Sequence, residues 1–462
     1  MKNSISIRHR ADCVQAIAKI DFRCGRNDEA LERFKDAEEL YISMGDRQGR
    51  ANCVQSMGDI DFQCGRNDKA LERFKQAEEL FISTGSAQGR ASCIKSMGDI
   101  NFRCGRNDKA LERFKQAEEL FISTGSAQGR ASCIKSMGDI DFRCGRNDEA
   151  LERFKQAEKL FISTGSAQGR ANCVKSMGDI DFQCGRNDEA LERFKQAEKL
   201  FISTGSAQGR ANCVKSMGYI DFQCGRNDEV LERFKQAEEL YISTGSAQGR
   251  ANCVKSMGDI DFQCGRNDEV LERFKQAEEL YISTGSAQGR ANCVKSMGDI
   301  DFQCGRNDEA LERFKQAEEL YISTGDPQGR ANCVKSMGDI DFRCGRNDEA
   351  LERFKQAEEL FISTGSAQGR ASCVQSMGYI NFRCGRNDEA LERFKQAEEL
   401  FISTGNAQGR ASCIKSMGYI DFQCGRNDEA LERFRQAEEL YISTADQRRA
   451  YCLDRIPMIK AH

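Results

Sequence analysis

The sequence contains no tryptophan, two prolines and two histidines, His9 and His462. So little proline argues against a loop-rich or disulfide-stapled design. Two histidines near the ends leave little for general-base chemistry or for a finger-type metal site. There is no Gly-x-Ser-x-Gly element and no phosphate loop with Lys before Ser or Thr. No enzyme, cofactor or metal is expected. The net charge of −4, from 69 basic and 73 acidic residues, supplies no polycation, so nucleic acid is not an expected partner. Met1 to Arg10 carries Lys2, Arg8, His9 and Arg10 but no apolar run of signal-peptide length. With 31% charged residues a membrane span is not expected either, and the expected location is the cytoplasm.

What the sequence does have is a period. Written in lines of forty, its columns agree from Ala11 to Ala450, giving eleven units after a polar leader, 1–10, and before a short cap, 451–462. We number these repeats 1 (11–50) to 11 (411–450). All 41 glycines fall in the columns of Gly58, Gly65, Gly85 and Gly89, so each column needs a local reason. Of 37 aromatic residues, 33 fall in the columns of Phe62, Phe74 and Phe81 and are architectural first. The remainder are Tyr219, Tyr379, Tyr419 and Tyr451.

Within one unit, 86–105 and 107–124 each carry apolar residues three or four apart, the spacing of a helix with one buried face. Gly85 suits a left-handed helix end, and Ser86 offers an oxygen to the free amides of the next helix. Asp46, Asp326, Asn406 and Asp446 share the column of Ser86, and Pro327 follows at the first helical position. The run Gly65, Arg66, Asn67, Asp68 ends the first helix and opens the second. A single helical pair of this size closes no core, so the pairs must stack. The ends differ from the middle: repeat 1 has Ala18 and Lys19 where later units have Gly and mostly Asp, and the tail ends in Tyr451, Leu453, Ile456, Pro457 and Ile459.

Gly58, Gly65, Ala70, Phe74 and Ala77 stand at unit positions 8, 15, 20, 24 and 27, and Met57 precedes the first glycine. This pattern resembles the tetratricopeptide repeat. The departures are Val54, Asp61, Asn67, the lack of a proline at position 32, and a period of 40 that is similar to the longer-helix arrays of Pins-type adaptors and of sensor arrays in signalling ATPases. The resemblance implies an all-α fold, a right-handed superhelical α-solenoid of eleven helix-turn-helix units, whose first helices line a concave groove that takes a protein or peptide.

At about 100° per residue, Cys53, Val54, Met57, Gly58, Ile60 and Cys64 share one apolar arc of the first helix. Lys95, Ser92, Ser96, Asp99 and Arg103 lie opposite, the face that the resemblance makes the ligand surface. The groove candidates are therefore Lys95, Lys135, Lys175, Lys215, Lys255, Lys295, Lys335 and Lys415, with Arg103, Arg143, Arg343 and Arg383. Tyr219, Tyr379 and Tyr419, which replace Asp, join them because tyrosine is enriched at binding hot spots. A plain solvated face is the alternative reading of these charges. Asp99 within reach of Lys95 would repel an incoming carboxylate, so a carboxylate clamp is not expected. A peptide carrying both charge signs suits such a face better.

Asp61 and Arg73 fall inside the apolar arcs of the first and second helix, and burying either alone costs several kcal/mol, about the price of an unpaired ion. We therefore expect a structural ion-pair ladder: Asp61 with Arg73, Asp141 with Arg153, Asp181 with Arg193, and so on, with Asn101 and Asn381 keeping an acceptor in two units. The 23 cysteines, two per unit plus Cys452, read as buried small hydrophobes in a reducing compartment. Repeats 7 and 8 differ only at Val270/Ala310, Ser286/Asp326 and Ala287/Pro327, a uniformity that favours a repetitive or multivalent ligand. The expected function is a non-enzymatic interaction scaffold. The alternatives are a mechanical spacer or self-assembling array with no groove ligand, and the detached sensor array of a signalling ATPase system.

Overall fold

The computed structural model describes residues 2–443, and the chain forms two compact units, residues 1–240 and 241–462. Among the described residues there are 22 helices and no strand. Each repeat supplies two helices: repeat 3, for example, has a first helix Ala87–Arg103 and a second helix Asn107–Ser123. Within each unit consecutive helices pack on one another, and the first helices of successive repeats also touch. The tail 451–462 and Asp446 lie outside the described residues. Residues 2–10, set apart as a polar leader in sequence, are the opening turns of one helix, Lys2–Arg23. Arg8 reaches the helix-capping Asp46 of the following repeat at 3.0 Å.

The core is nearly the same from repeat 2 to repeat 11, with Val230 and Val270 replacing an alanine in two of them, whereas in repeat 1 Cys13, Ile17 and Ile20 are exposed. Ala91, Cys93, Ile94, Met97 and Ile100 of a first helix meet Ala110, Phe114, Ala117 and Phe121 of the second, all buried. A buried Phe, Ile or Met is worth about 1.5–3 kcal/mol of transfer free energy, so Ile94, Met97 and Ile100 contribute on the same scale as the two aromatic rings. In three of the repeats whose second ring is tyrosine, the hydroxyl finds an acceptor on the first helix: Tyr41 donates to Asp12 at 2.7 Å, Tyr281 to Asn252 at 2.6 Å and Tyr321 to Asn292 at 2.7 Å. That satisfies a polar atom the phenylalanine repeats do not have.

The glycine columns have two explanations. Gly65 and Gly85 end helices with φ of +75° and +71°, a conformation in which a side chain would clash with the backbone. In the turn after the first helix, Gly65 N–H donates to Phe62 O and Arg66 N–H to Asp61 O, closing the helix end. The first-helix boundary falls two residues short of the expected 105 for this reason. Gly58 and Gly89 sit instead inside or at the start of a helix, where an aromatic ring lies against the bare Cα. A Cβ at Gly98 would approach the Phe114 ring to 2.8 Å, and one at Gly129 would approach Phe121 to 2.5 Å. At the helix starts, Ser126 accepts from Gly129 N–H, and Asp46, Asp326 and Asn406 accept at 2.9, 2.9 and 2.8 Å from Gly49, Gly329 and Gly409.

The cysteines divide rather than sharing one environment. Those in the column of Cys53 are buried from Cys53 to Cys413, whereas those in the column of Cys64 are exposed from Cys24 to Cys424, which corrects the expectation of burial for both. Cys64 is the residue at which the first helix stops, so it never faces the second helix as a continued helix would place it. Its column instead links neighbours: Asn67 Nδ2 donates to Cys104 Sγ and Asn147 Nδ2 to Cys184 Sγ, at 3.6 and 3.3 Å. Burial pushes the inner thiols Cys133 and Cys173 up to about 12, holding them protonated and unreactive.

The ring-to-backbone contact yields a direct expectation. Gly129→Ala forces the buried Phe121 ring aside and lowers the free energy of unfolding by about 1–3 kcal/mol. Urea unfolding of the variant against the parent chain measures this, and an unchanged midpoint would show that the ring has room to move.

Candidate interaction surface

Successive first helices carry a row of lysine–aspartate pairs one turn apart. Lys95 Nζ lies 2.7 Å from Asp99, Lys135 2.7 Å from Asp139 and Lys175 2.7 Å from Asp179. Lys255, Lys295 and Lys335 each lie 2.8 Å from Asp259, Asp299 and Asp339. The pairs are half-buried, not held out in water, because neighbouring first helices close over their stems. Two of these acids also feel the next repeat: burial raises the Asp139 carboxyl, opposed first by Lys135 and then by Lys175. Burial likewise raises Asp259 against Lys255 and Lys295. The row is thus largely self-neutralised. Lys215 and Lys415 occupy the same column in the repeats where Tyr219 and Tyr419 stand in place of the acid.

The three tyrosines are half-buried and each packs edge-on against the core ring of its own second helix. Ring centres are 5.1 Å apart for Tyr219 and Phe234, 5.0 Å for Tyr379 and Phe394, and 5.1 Å for Tyr419 and Phe434. These contacts fix the ring planes. Tyr379 also spans to the next repeat, where its hydroxyl lies 3.1 Å from Ser412 Oγ and accepts from Ser416 Oγ at 3.1 Å.

The four arginines singled out with them are exposed but not free. Arg103 Nη1 donates to Phe62 O of the preceding repeat at 3.2 Å, with its guanidinium 5.3 Å from the Phe62 ring centre. Arg143 does the same to Phe102 at 3.2 and 4.4 Å, Arg343 to Phe302 at 2.9 and 4.3 Å, and Arg383 to Phe342 at 3.3 and 5.4 Å. Each is a clamp between repeats, worth about 0.5–1 kcal/mol at an exposed site. Helix periodicity put these residues on the outward face. It carried no signal of the carbonyl forty-one residues earlier.

Between the two helices of a repeat lies a second charged row. Asp61 is buried and bracketed by Arg66 at 2.6 Å and Arg73 at 2.7 Å. Asp141 takes Arg146 and Arg153 at 2.7 and 2.6 Å, and Asp181 takes Arg186 and Arg193 at 2.8 and 2.5 Å. The second partner, the arginine of the Gly-Arg-Asn-Asp turn, escaped the sequence reading. Its signal was an arginine standing where a capping side chain belongs. Arg66 caps nothing with its side chain because Nε is held by Asp61, and this hydrogen bond is the first cause of its raised pKa. Two bonds to one carboxylate, plus Arg66 N–H to Asp61 O, lock the turn.

Among the described residues no group of three or more His, Cys, Asp or Glu converges as a metal site, and no helix is long and apolar enough to cross a membrane. The arrangement offers recognition by shape, charge and aromatic surface.

The tetratricopeptide repeat model matches residues 10–83, 50–123, 90–163, 289–363 and 370–443, well over half of the chain. None of the curated proteins is similar enough in sequence to match. Among solved structures, the chain is similar to a signal transduction ATPase with numerous domains from Pyrococcus horikoshii, a protein with a tetratricopeptide repeat sensor, at 11% identity and a TM-score of 0.57. That match covers 79% of this chain and 54% of the other, so the chain spans about half the length of that protein. Yeast Tom70 is 15% identical, with 98% and 96% of the two chains covered and a TM-score of 0.42. A Rap protein complexed with competence and sporulation factor is 14% identical, with 82% and 99% covered and a TM-score of 0.47.

Two expectations follow from the charged rows. Asp59 lacks a lysine four residues before it, having Gln55, and burial pushes its carboxyl up to about 6 against the pull of Lys95. Its ordinary value is near 4, so the native state favours the protonated form, a stabilisation complete below that value and lost as pH rises through about 6. Urea midpoints of the parent chain should therefore fall relative to Asp59→Asn between pH 4 and pH 7. A constant difference would contradict the raised value. In the second row, Asp181→Asn keeps an acceptor but removes the charge from Arg186 and Arg193, and should cost about 1–3 kcal/mol in the same assay.

Proposed function

This chain belongs to the tetratricopeptide repeat family, and we propose that it is a non-enzymatic interaction scaffold whose first-helix surface takes a protein or peptide segment. The observation that carries this reading is the set of substitutions Tyr219, Tyr379 and Tyr419. Against a background in which repeats 7 and 8 differ at three positions, three units exchange a self-neutralised acid for a half-buried aromatic ring with a polar tip. The surrounding lysine–aspartate pairs favour a segment that carries both charge signs, since an anionic end group would meet an aspartate beside every paired lysine. Repetition suits a ligand that repeats too, each weak contact adding to the rest. The free thiols fit a reducing compartment such as the cytoplasm.

The likeness of fold to the Pyrococcus horikoshii protein supports a second reading, in which the chain is a sensor array working with a separate ATPase. Capture from native extract separates the two: an ATPase among the retained proteins favours the sensor reading, and other partners favour the scaffold.

The test of the surface uses the chain's own alternative residue. Tyr219→Asp, Tyr379→Asp and Tyr419→Asp restore what most repeats carry, so folding is preserved by precedent. The triple variant should bind the captured partner at least about tenfold more weakly, the loss of one good hot spot. Undiminished binding would remove this surface from consideration.

A further inference from the structure

In nine repeats a buried aspartate fills the space between two arginines, as Asp61, Asp141 and Asp181 do above. In repeats 3 and 10 the aspartate is replaced by Asn101 and Asn381. These asparagines are buried too, though at 7% and 6% exposure they are a little more open than the acids they replace, and neither side-chain amide makes a hydrogen bond among the described residues. The arginines have lost their central carboxylate. Arg113 turns to Gln116 at 3.3 Å and Arg393 to Gln396 at 3.1 Å, drawing in glutamines whose counterparts in other repeats are exposed. Arg386 retains only a 3.7 Å contact with Glu389, and Arg106 makes no ion pair among the described residues. Asn381 opens onto a cavity of about 610 Å³, shared with Arg393, Lys395 and the acids Glu389, Glu392 and Glu399.

We propose that these two positions are binding sites for a carboxylate, which enters where the aspartate is missing and is held by the same pair of guanidinium groups. Arginine pairs recognise carboxylates by parallel N–H donors, and the arginines at these two positions hold one in the other repeats, so that Arg113 and Arg393 need only exchange a glutamine for the ligand. The asparagine amide adds a donor without the charge that would repel the ligand. Local charge ranks the two sites. Around Asn101 the residue in the column of Glu389 is Lys109, and the preceding repeat has Lys69 in that column, where every other repeat has glutamate. The repeat 3 site is therefore the stronger one, and Glu389 weakens the site in repeat 10. Both lie between the helices of one repeat, in a different column from the lysine and tyrosine face, so this site stands whether or not that face binds anything.

Two sources supply a carboxylate: a small free acid, or the aspartate or glutamate side chain of a partner segment. Thermal unfolding of the full chain is followed in sodium acetate and in sodium chloride at equal ionic strength, and again with an alanine peptide carrying one central glutamate. The parent chain should show a saturable rise in melting temperature with acetate or peptide beyond that in chloride. Response to acetate alone assigns the site to small acids, and response to the peptide assigns it to a side chain. The variant Asn101→Asp/Asn381→Asp, which supplies its own carboxylate, should melt higher than the parent and lose the response. Asp141→Asn, which makes a third vacant pair, should enlarge it. An identical response of parent and double variant to both probes overturns the proposal, as does the absence of any response in the parent and in Asp141→Asn.

Discussion

The contact on which these repeats depend is that of an aromatic ring with a backbone that bears no side chain. Phe114 lies over Gly98 and Phe121 over Gly89's counterpart Gly129, at distances no Cβ would permit. The two helices of a pair, and each pair with the next, therefore approach to the separation at which alanine, valine and cysteine suffice to fill the remaining volume. Small residues elsewhere in the core are a result of that approach. The glycines with positive φ serve the same end by turning the chain within three residues, so that the rings arrive opposite the bare positions.

Close packing leaves little room for charge, and the chain handles charge in two rows. One is sealed, an aspartate between two arginines, where the backbone carbonyl of the aspartate also accepts from the arginine N–H of the turn. The other is half-open, with lysine and aspartate neutralising each other along the first helices. Departures from either row stand out because the background is so even. Tyr219, Tyr379 and Tyr419 change the half-open row, and Asn101 and Asn381 change the sealed one.

Much of this is legible in the sequence, for a physical reason. A forty-residue period repeated eleven times averages out local ambiguity, so helix pairs, caps and turns can be read directly. Asp61 and Arg73 announce themselves by lying on apolar arcs. The failures occur where the helix stops or where the partner is another repeat. Cys64 shares the arc of Cys53 on a continued helix, but the helix ends at Cys64 and the thiol turns outward. Arg66 belongs to a turn, and periodicity says nothing of turn side chains. Arg103 points outward as its spacing implies, and its clamp on Phe62 follows from the stacking of neighbours, which no single helix encodes.

Near-identity of consecutive repeats has a consequence for assembly of the chain. Bonds that join neighbours, such as Arg343 to Phe302, span about one period, and this pair recurs one period later as Arg383 and Phe342. A helix pair that skips its neighbour and docks on the following one meets nearly the same rings, glycines and carbonyls. Closing the longer loop costs only about 0.6 kcal/mol more per doubling of length. Selection against slipped registers then falls to the few positions where adjacent repeats differ and to order of emergence from the ribosome, which gives each pair its proper neighbour before a competitor exists.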